Sequence, residues 1–465
     1  MSLHRLFSFL AVVLLFAFSG RAEAAFAPSQ APSEKSSMTI SLEDAVQIGI
    51  KHNRDLEIAR LDKQMAGQKV RESWAEVLPH ISSGATYTRT LKPTVMFLPG
   101  SIFGLPDGGS RAIEVSQDNS SMVSLSLSQT IFKLSAFAGI KAASLVRKIS
   151  DESFRQTNAE VVTSIRRAYY DALIASEKQK LVEQSISRWE LSRKDTNALF
   201  KQGVAADIDT LKAWLSVENL KPDLIRARNV VSVATTRLKT VMGIDQDIEI
   251  ALSGSLVFHE TDSPRDIAAA YGEALQKRPD VRSLSYQVEA ENEKVTAARS
   301  EGMPTLSAFG SLDAQTQFSD KVPLDETRWP VSSSIGLQLS VPIFSGFGTS
   351  AKIEQAKISR IQTRTKFDDL KFQVRAEVEV RLTNLVEARR RIDIQSETIS
   401  VAERSYRITR LRLREGIGSR LELADAELQL NTAKINYLQA VYDYLVASAE
   451  LEKSLGRVSP EILKS

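Results

Sequence analysis

The stretch IGLQLSVPIFSGFGTSAKIEQAKI, residues 335–358, changes its period half-way. Ile335, Leu337, Leu339, Val341 and Ile343 alternate with Ser334, Gly336, Gln338 and Ser340. That is the period of a β-strand with one apolar and one polar face. Gly346 and Gly348 follow, and from Thr349 to Glu415 there is neither glycine nor proline. Such a run predicts one uninterrupted helix, roughly 100 Å long at about 1.5 Å per residue. A half-apolar strand feeding straight into so long a helix is what the fold has to explain.

The same passage occurs earlier in the chain. Leu125, Leu127, Ile131 and Phe132 match Leu337, Leu339, Ile343 and Phe344 at an offset of 212 residues. Upstream, Ala45-Val46, Ile50 and Asn53-Arg54-Asp55-Leu56 match Ala270-Tyr271, Leu275 and Arg278-Pro279-Asp280-Val281 at 225. Val70 and Leu78-Pro79 match Val295 and Met303-Pro304 at the same offset. Downstream, Gly203-Val204 and Met242-Gly243 match Gly416-Ile417 and Leu455-Gly456 at 213. Ordered blocks at nearly constant offsets predict two internal repeats. They span 28–243 and 264–457, with a linker at 244–263 and a tail at 458–465. The offset changes between the two strand segments, where the first half carries the longer insertion.

Each repeat reads as helix, hairpin, long helix and returning helix. A medium helix over about 42–78, and again over 265–302, ends at Pro79 or Pro304, since proline lacks the donor to continue it. Hairpins follow at 79–133 and 304–345. In the first, Ile81, Ala85, Tyr87 and Leu91 face one way, and His80, Ser82, Thr86, Thr88 and Thr90 the other. Its partner sets Val123, Leu125, Leu127 and Ile131 against Ser124, Ser126, Ser128 and Thr130. Leu306, Ala308 and Leu312 alternate in the second.

The long helix over 141–202 carries Ile165, Ala168, Ala172, Ala175, Gln179, Val182, Ile186, Trp189, Arg193, Thr196 and Phe200 at steps of three and four. That is a heptad seam with polar breaks. Val374, Val378, Leu382, Leu385, Ala388, Ile392, Ile399, Ala402 and Tyr406 form its counterpart. Turns at Gly203 and Gly416 reverse the chain into helices ending near Gly243 and Gly456, and Pro222 is expected to kink the first. Residues 248–258 read as short strand or loop. The insertion bearing Phe97, Leu98, Ile102, Phe103 and Leu105 reads as an external loop with apolar side chains folded inward.

Residues 1–27 have a basic start at Arg5, an apolar core over 6–18 and Ala-x-Ala patterns, which predict a secretory signal peptide. The chain has no cysteine, so neither disulfides nor an N-terminal lipid-anchored cysteine is expected. No later apolar run is long enough for a transmembrane helix. The formal charge is +3 and both signs are mixed along the helices, which argues against nucleic acid. Beyond the leader, His52, His80 and His259 stand far apart without ligand spacing. No phosphate loop or catalytic grouping is present, so no enzyme, cofactor or metal is expected.

A hairpin with one apolar face and a serine- and threonine-rich face suits a barrel wall, lipid outside and water inside. A soluble sheet packed on the helices has the same period. Four strands cannot close a barrel, and an open edge cannot sit in lipid. Three copies sharing one wall would supply roughly twelve strands, within the known range.

The double repeat resembles the TolC-like outer-membrane efflux protein family. The resemblance rests on Leu42-Glu43-Asp44-Ala45 with Asn53-Arg54-Asp55-Leu56, and on the Leu78-Pro79 strand entry. It rests also on Val341-Pro342-Ile343-Phe344-Ser345-Gly346 with Gly348 and Ala351, and on the turns around Gly203 and Gly416. It covers about residues 38–457. It implies a mainly α chain with a membrane β-barrel: a long antiparallel coiled-coil tunnel plus four β-strands per protomer, in a homotrimer with a twelve-stranded barrel. The implied place is the outer membrane of a Gram-negative bacterium, with a large periplasmic part. Implied partners are outer-membrane lipid, a periplasmic adaptor protein and an inner-membrane pump of the RND, ABC or MFS type. The expected function is a passive exit duct for efflux or type I secretion. A periplasmic coiled-coil adaptor or scaffold without a pore is the alternative.

Glu422 and Asp425 are three residues apart and share a helix face. The resemblance matches them to acidic rings that narrow the periplasmic entrance, with Asp207 and Asp209 as weaker gate candidates. The turns Gly203, Val204 and Ala205, and Gly416, Ile417, Gly418 and Ser419, are the implied adaptor-contact tip. Some members lock that tip with a tyrosine and an arginine. Leu413 and Gly418 stand at the matching positions, with Arg414 and Arg420 nearby.

Overall fold

The computed structural model describes residues 37–104, 110–260, 264 and 266–457. The expected leader, the tail at 458–465 and Leu105 lie outside them. The first half runs β1 (Ser37–Ile40), α1 (Leu42–His52), α2 (Arg54–Ala75), β2 (His80–Arg89), β3 (Val95–Pro99), β4 (Ser110–Glu114), β5 (Asn119–Phe132), α3 (Leu134–Lys201), α4 (Asp207–Glu218) and α5 (Lys221–Met242). After β6 (Glu249–Leu252) come α6 (Ile267–Lys277), α7 (Pro279–Ser300), β7 (Thr305–Phe318), β8 (Val331–Ser340), α8 (Gly348–Arg414) and α9 (Arg420–Ser454).

The two long helices are present, at 68 residues for α3 and 67 for α8. The first starts seven residues earlier than expected and takes Gly139 into its body, where a lone glycine costs only about 1 kcal/mol. Every seam residue expected in α8 is buried or half-buried. In α3 the seam holds from Ile165 to Thr196, but Phe200 is exposed.

Each medium helix is two helices rather than one. Asn53 and Arg278 leave the helical region, at ψ 129° and 127°. Asn53 caps α2 by accepting from the Leu56 amide, and Pro279 disfavours α geometry in the residue before it. The breaks are held from afar in the same way. Asn53 donates its side-chain amide to the Val241 carbonyl at 2.8 Å, and Arg278 donates to the Ser454 carbonyl at 3.1 Å. Both acceptors lie two residues before a helix-ending glycine. At Gly243 and Gly456 φ is +74° and +70°. The next amides, Ile244 and Arg457, return to Lys239 and Glu452, the Schellman closure of a helix end. Near Pro222 the helix is interrupted for two residues between α4 and α5, Asn219 and Leu220, which both keep right-handed helical geometry, and the proline falls in the first turn of α5, where its missing donor is harmless.

These corners surround the main core. Ile40, Ile165, Leu238, Met242, Val378, Val441 and Leu455 pack there and are almost fully buried. Strand β6 pairs in parallel with β1, and the Tyr169 hydroxyl donates to the Ser253 carbonyl beside them. On the rim, Arg457 donates to both carboxylate oxygens of Glu273 at 2.9 and 3.0 Å. That hydrogen bonding, with Lys277 adding another, draws the Glu273 carboxyl down to about 2. A depressed carboxylate stabilises the fold above its unfolded pKa and loses that effect as pH falls through the folded value. Glu273→Gln is therefore expected to flatten the acid limb of stability between the ordinary glutamate range and about pH 2. Thermal melts taken across that window would show it.

Strands β2, β5, β7 and β8 form one antiparallel sheet in that order, so the first and second halves meet at β5–β7. Leu125 stands opposite Leu312, Leu306 opposite Leu339 and Ala308 opposite Leu337, which assembles the expected apolar face. That face is bare in the protomer; Ile335 is 90% exposed. Three details differ from expectation. Ile131 sits at a register shift between Thr130 and Phe132, so the apolar phase passes to Phe132 across from Leu306. β8 stops at Ser340, because Pro342 cannot donate to a neighbour, and Val341 and Ile343 lie beyond it. β2 ends at Arg89, leaving Leu91 outside. The insertion forms its own hairpin, β3 with β4, and Phe97 and Ile102 are exposed there in the protomer.

Candidate functional site

The two helical hairpins α3–α4 and α8–α9 end together, far from the sheet. Both turns close in the same way. After α3, Gly203 has φ +75°, its amide donates to Phe200 and the Val204 amide donates to Leu199. After α8, Gly416 has φ +74°, with matching bonds to Leu413 and from Ile417 to Arg412. These last carbonyls are thereby satisfied within two residues, and the chain reverses tightly. The returning helices start differently. The Ser419 hydroxyl accepts from the Glu422 amide, while Ala206 offers no side-chain oxygen and Asp209 reaches back to its amide at 3.2 Å.

Val204 and Ile417 project from the turns, 73% and 71% exposed. Gly418 is a close-approach position: a Cβ there would lie 2.9 Å from the Leu413 nitrogen. A side chain at this position would force that backbone to shift.

Glu422 and Asp425 lie on one exposed face of α9, as their spacing predicts. Asp425 accepts from Gln429 at 2.7 Å, and Arg412 stands 3.8 Å from Glu422. The opposite face, with Leu423, Ala426 and Leu430, is buried. Asp207 is exposed and accepts from the Thr210 hydroxyl. Asp209 is half-buried and engaged, and this separates it from the acidic pair.

Its partner is Arg420. The Arg420 guanidinium donates to the Asp209 carbonyl at 3.3 Å, lies 3.7 Å from the Asp209 carboxylate, and donates to the Thr196 hydroxyl of α3. Thr196 is only 1% exposed. One side chain at the start of α9 thus ties the second hairpin to both helices of the first. An arginine in the first turn of a helix opposes the helix dipole, so an acceptor-rich setting is needed to hold it. Of the two arginines near the turn, Arg420 is the one that bridges.

Two turns further in, sequence reading missed a second tie. Glu427 is 3% exposed. It accepts from Arg188 through both oxygens, at 2.8 and 3.1 Å, and from Ser185 at 3.0 Å. Arg188 also donates to Asn431 at 2.9 Å. The available signal was a carboxylate at a seam position of α9, between Leu423 and Leu430. So between α3 and α9 the tip is joined by polar bridges, whereas α8 and α9 meet through Ala402, Leu430 and Ala433.

Paired helices roughly 100 Å long, ending in a tied double tip and continuous at the other end with an open-edged amphipathic sheet, define an outer-membrane duct protein. The sequence model described as outer membrane efflux protein matches residues 46–244 and 270–457. The chain belongs to that family. The Pseudomonas aeruginosa alkaline protease secretion protein AprF is 26% identical over 337 residues, 72% of this chain and 69% of its own. The outer membrane protein TolC of Escherichia coli is 21% identical, over 88% of this chain and 81% of its own. Among solved structures, a Pseudomonas aeruginosa membrane protein superposes with a TM-score of 0.72 at 20% identity, covering 94% of this chain and 99% of its own. The Campylobacter jejuni CmeC outer membrane channel gives 0.71 at 17% identity, over 94% and 93%. The chain is an outer-membrane exit duct for efflux or type I secretion, and not an enzyme.

Proposed function

We propose that three copies close one twelve-stranded barrel, with the β2 edge of each protomer pairing with the β8 edge of the next. The observation that carries this is the sheet itself. Both edge strands are ten residues long with unpaired backbone, and the face bearing Ile335, Leu337 and Leu339 is exposed. Unpaired strand edges are untenable in lipid, so the wall must be completed by neighbours. Strands of about 9–11 residues suffice to cross. The long helices then continue the wall as a periplasmic tunnel. The two halves act as repeats over 28–243 and 264–457, supported by the paired family matches. Purified in detergent, the protein is expected to run as a heat-dissociable trimer; a detergent-indifferent monomer would overturn the reading.

At the tip, the exposed Val204 and Ile417 with Gly203, Ala205, Gly416, Gly418 and Ser419 offer small and apolar surface to the helical hairpin of a periplasmic adaptor, which links the duct to an inner-membrane pump. Glu422 and Asp425, solvent-facing and unburied by their own protomer, form acidic rings under threefold symmetry. Acidic rings favour cations. Asp207 adds charge at the rim. Bilayer recordings of Glu422→Ala with Asp425→Ala are expected to show a marked loss of cation preference. An unaltered reversal potential would remove the pair from the constriction.

A further inference from the structure

The polar face of the sheet has one aromatic side chain. In β2, β5, β7 and β8 this face carries serine, threonine, glutamine, glycine, His80 and Asp313, with Met122 as the other apolar residue. Phe309 interrupts that pattern. It stands opposite Ser128 on β5 and opposite Gly336 on β8. A Cβ on Gly336 would lie 2.7 Å from the ring's Cζ and 2.9 Å from a Cε. The ring therefore occupies the place of the missing side chain, lying across β8 rather than standing off the wall. It remains 41% exposed. Phe309 is four residues from Thr305, where β7 begins, so it sits about 13 Å from the joint with the helical stalk at about 3.3 Å per residue.

We propose that Phe309, laid down on Gly336, forms an aromatic collar around the lower barrel lumen and sets the size of cargo that passes there. The proposal rests on the trimeric barrel reading above, in which the polar face is the lumen. Threefold symmetry makes the ring a set of three at one height. Any side chain at position 336 forces the ring off the wall, because backbone neighbours on the sheet cannot yield. Removing the ring widens the bore. A ring resting on a strand glycine also stabilises the sheet, but stability alone would not alter passage of a bulky solute.

The natural chain has no cysteine, so single thiols report cleanly. Ser307→Cys lies on the same face just below the collar, and Ser124→Cys, opposite Asp313, lies above it. Intact cells are treated with a maleimide on a polymer too large for general porins. At Ser307→Cys, labelling is expected to slow roughly tenfold when Gly336→Ala is added, and to quicken when Phe309→Ala is added, alone or with Gly336→Ala. At Ser124→Cys the rate stays constant in every background. If Gly336→Ala does not assemble, Phe309→Ala decides alone. Equal Ser307→Cys rates with and without Phe309, alongside normal labelling at Ser124→Cys, would overturn the collar. Thiols at both positions that react only after denaturation would instead overturn the luminal reading of the polar face beneath it.

Discussion

Arg420→Ala is expected to raise the open probability of the duct roughly tenfold, because hydrogen bonds to a charged group contribute about 1.5 kcal/mol or more and about 1.4 kcal/mol is a factor of ten. In the protomer Arg420 reaches the Asp209 carbonyl, the Asp209 carboxylate and the buried Thr196 hydroxyl from the first turn of α9. Without it the second hairpin loses its outermost hold on the first. The Glu427–Arg188 tie remains two turns further in, so the tip loosens while the bundle stays assembled. Small displacements of packed helices are the ordinary route by which such elements switch. Arg420→Lys should fall between, since an ammonium is a compact point charge and cannot fork to both helices. Asp209→Asn should change little: its carboxylate is the longer contact and the carbonyl acceptor is retained. Single-channel recording reads all three. Wild-type behaviour in Arg420→Ala would remove this residue from closure.

The second large effect belongs to Gly243 and Gly456. Alanine at either is expected to cost about 2–5 kcal/mol, adding the left-handed backbone penalty to that of overpacking. At Gly243 a Cβ would lie 2.4 Å from the His52 carbonyl oxygen, and at Gly456 2.7 Å from the Arg278 nitrogen. Both obstacles are backbone, held in place by the Asn53 and Arg278 bridges, and cannot rotate away. Gly203 and Gly416 are a built-in control. Their φ values are the same, yet a Cβ meets nothing within 4 Å, so alanine there should cost about 1–2 kcal/mol. The unfolding temperature of the purified protein should fall sharply for the first pair and slightly for the second. Equal shifts at all four would show that crowding at the corners is not what matters.

Much of the fold was legible because its signals are local. Alternation through 335–340 and the heptad seam of 374–406 each depend on side chains a few residues apart, and periodicity measures that directly. The repeats were legible because matching blocks recur in order. What was misread depends on partners distant in the chain. At Asn53 the local signal is one capping bond to the Leu56 amide, and the side-chain NH2 that also holds the break is committed to a carbonyl 188 residues away. Arg414 and Arg420 both stand near the turn; what distinguishes Arg420 is its contacts with Thr196 and Asp209, 224 and 211 residues earlier.

The sequence by itself determined that strands of period two would lead into helices of about 100 Å, that glycines would turn them, and that Glu422 and Asp425 would share a face. Those outcomes follow from backbone stereochemistry and side-chain spacing within one element. Tertiary structure alone decided which side chain ties the two hairpins, which glycines are crowded, and that Phe309 comes to rest on Gly336. Each of these depends on the register between elements, and register is set by packing summed over the whole assembly of helices and strands rather than by any one segment.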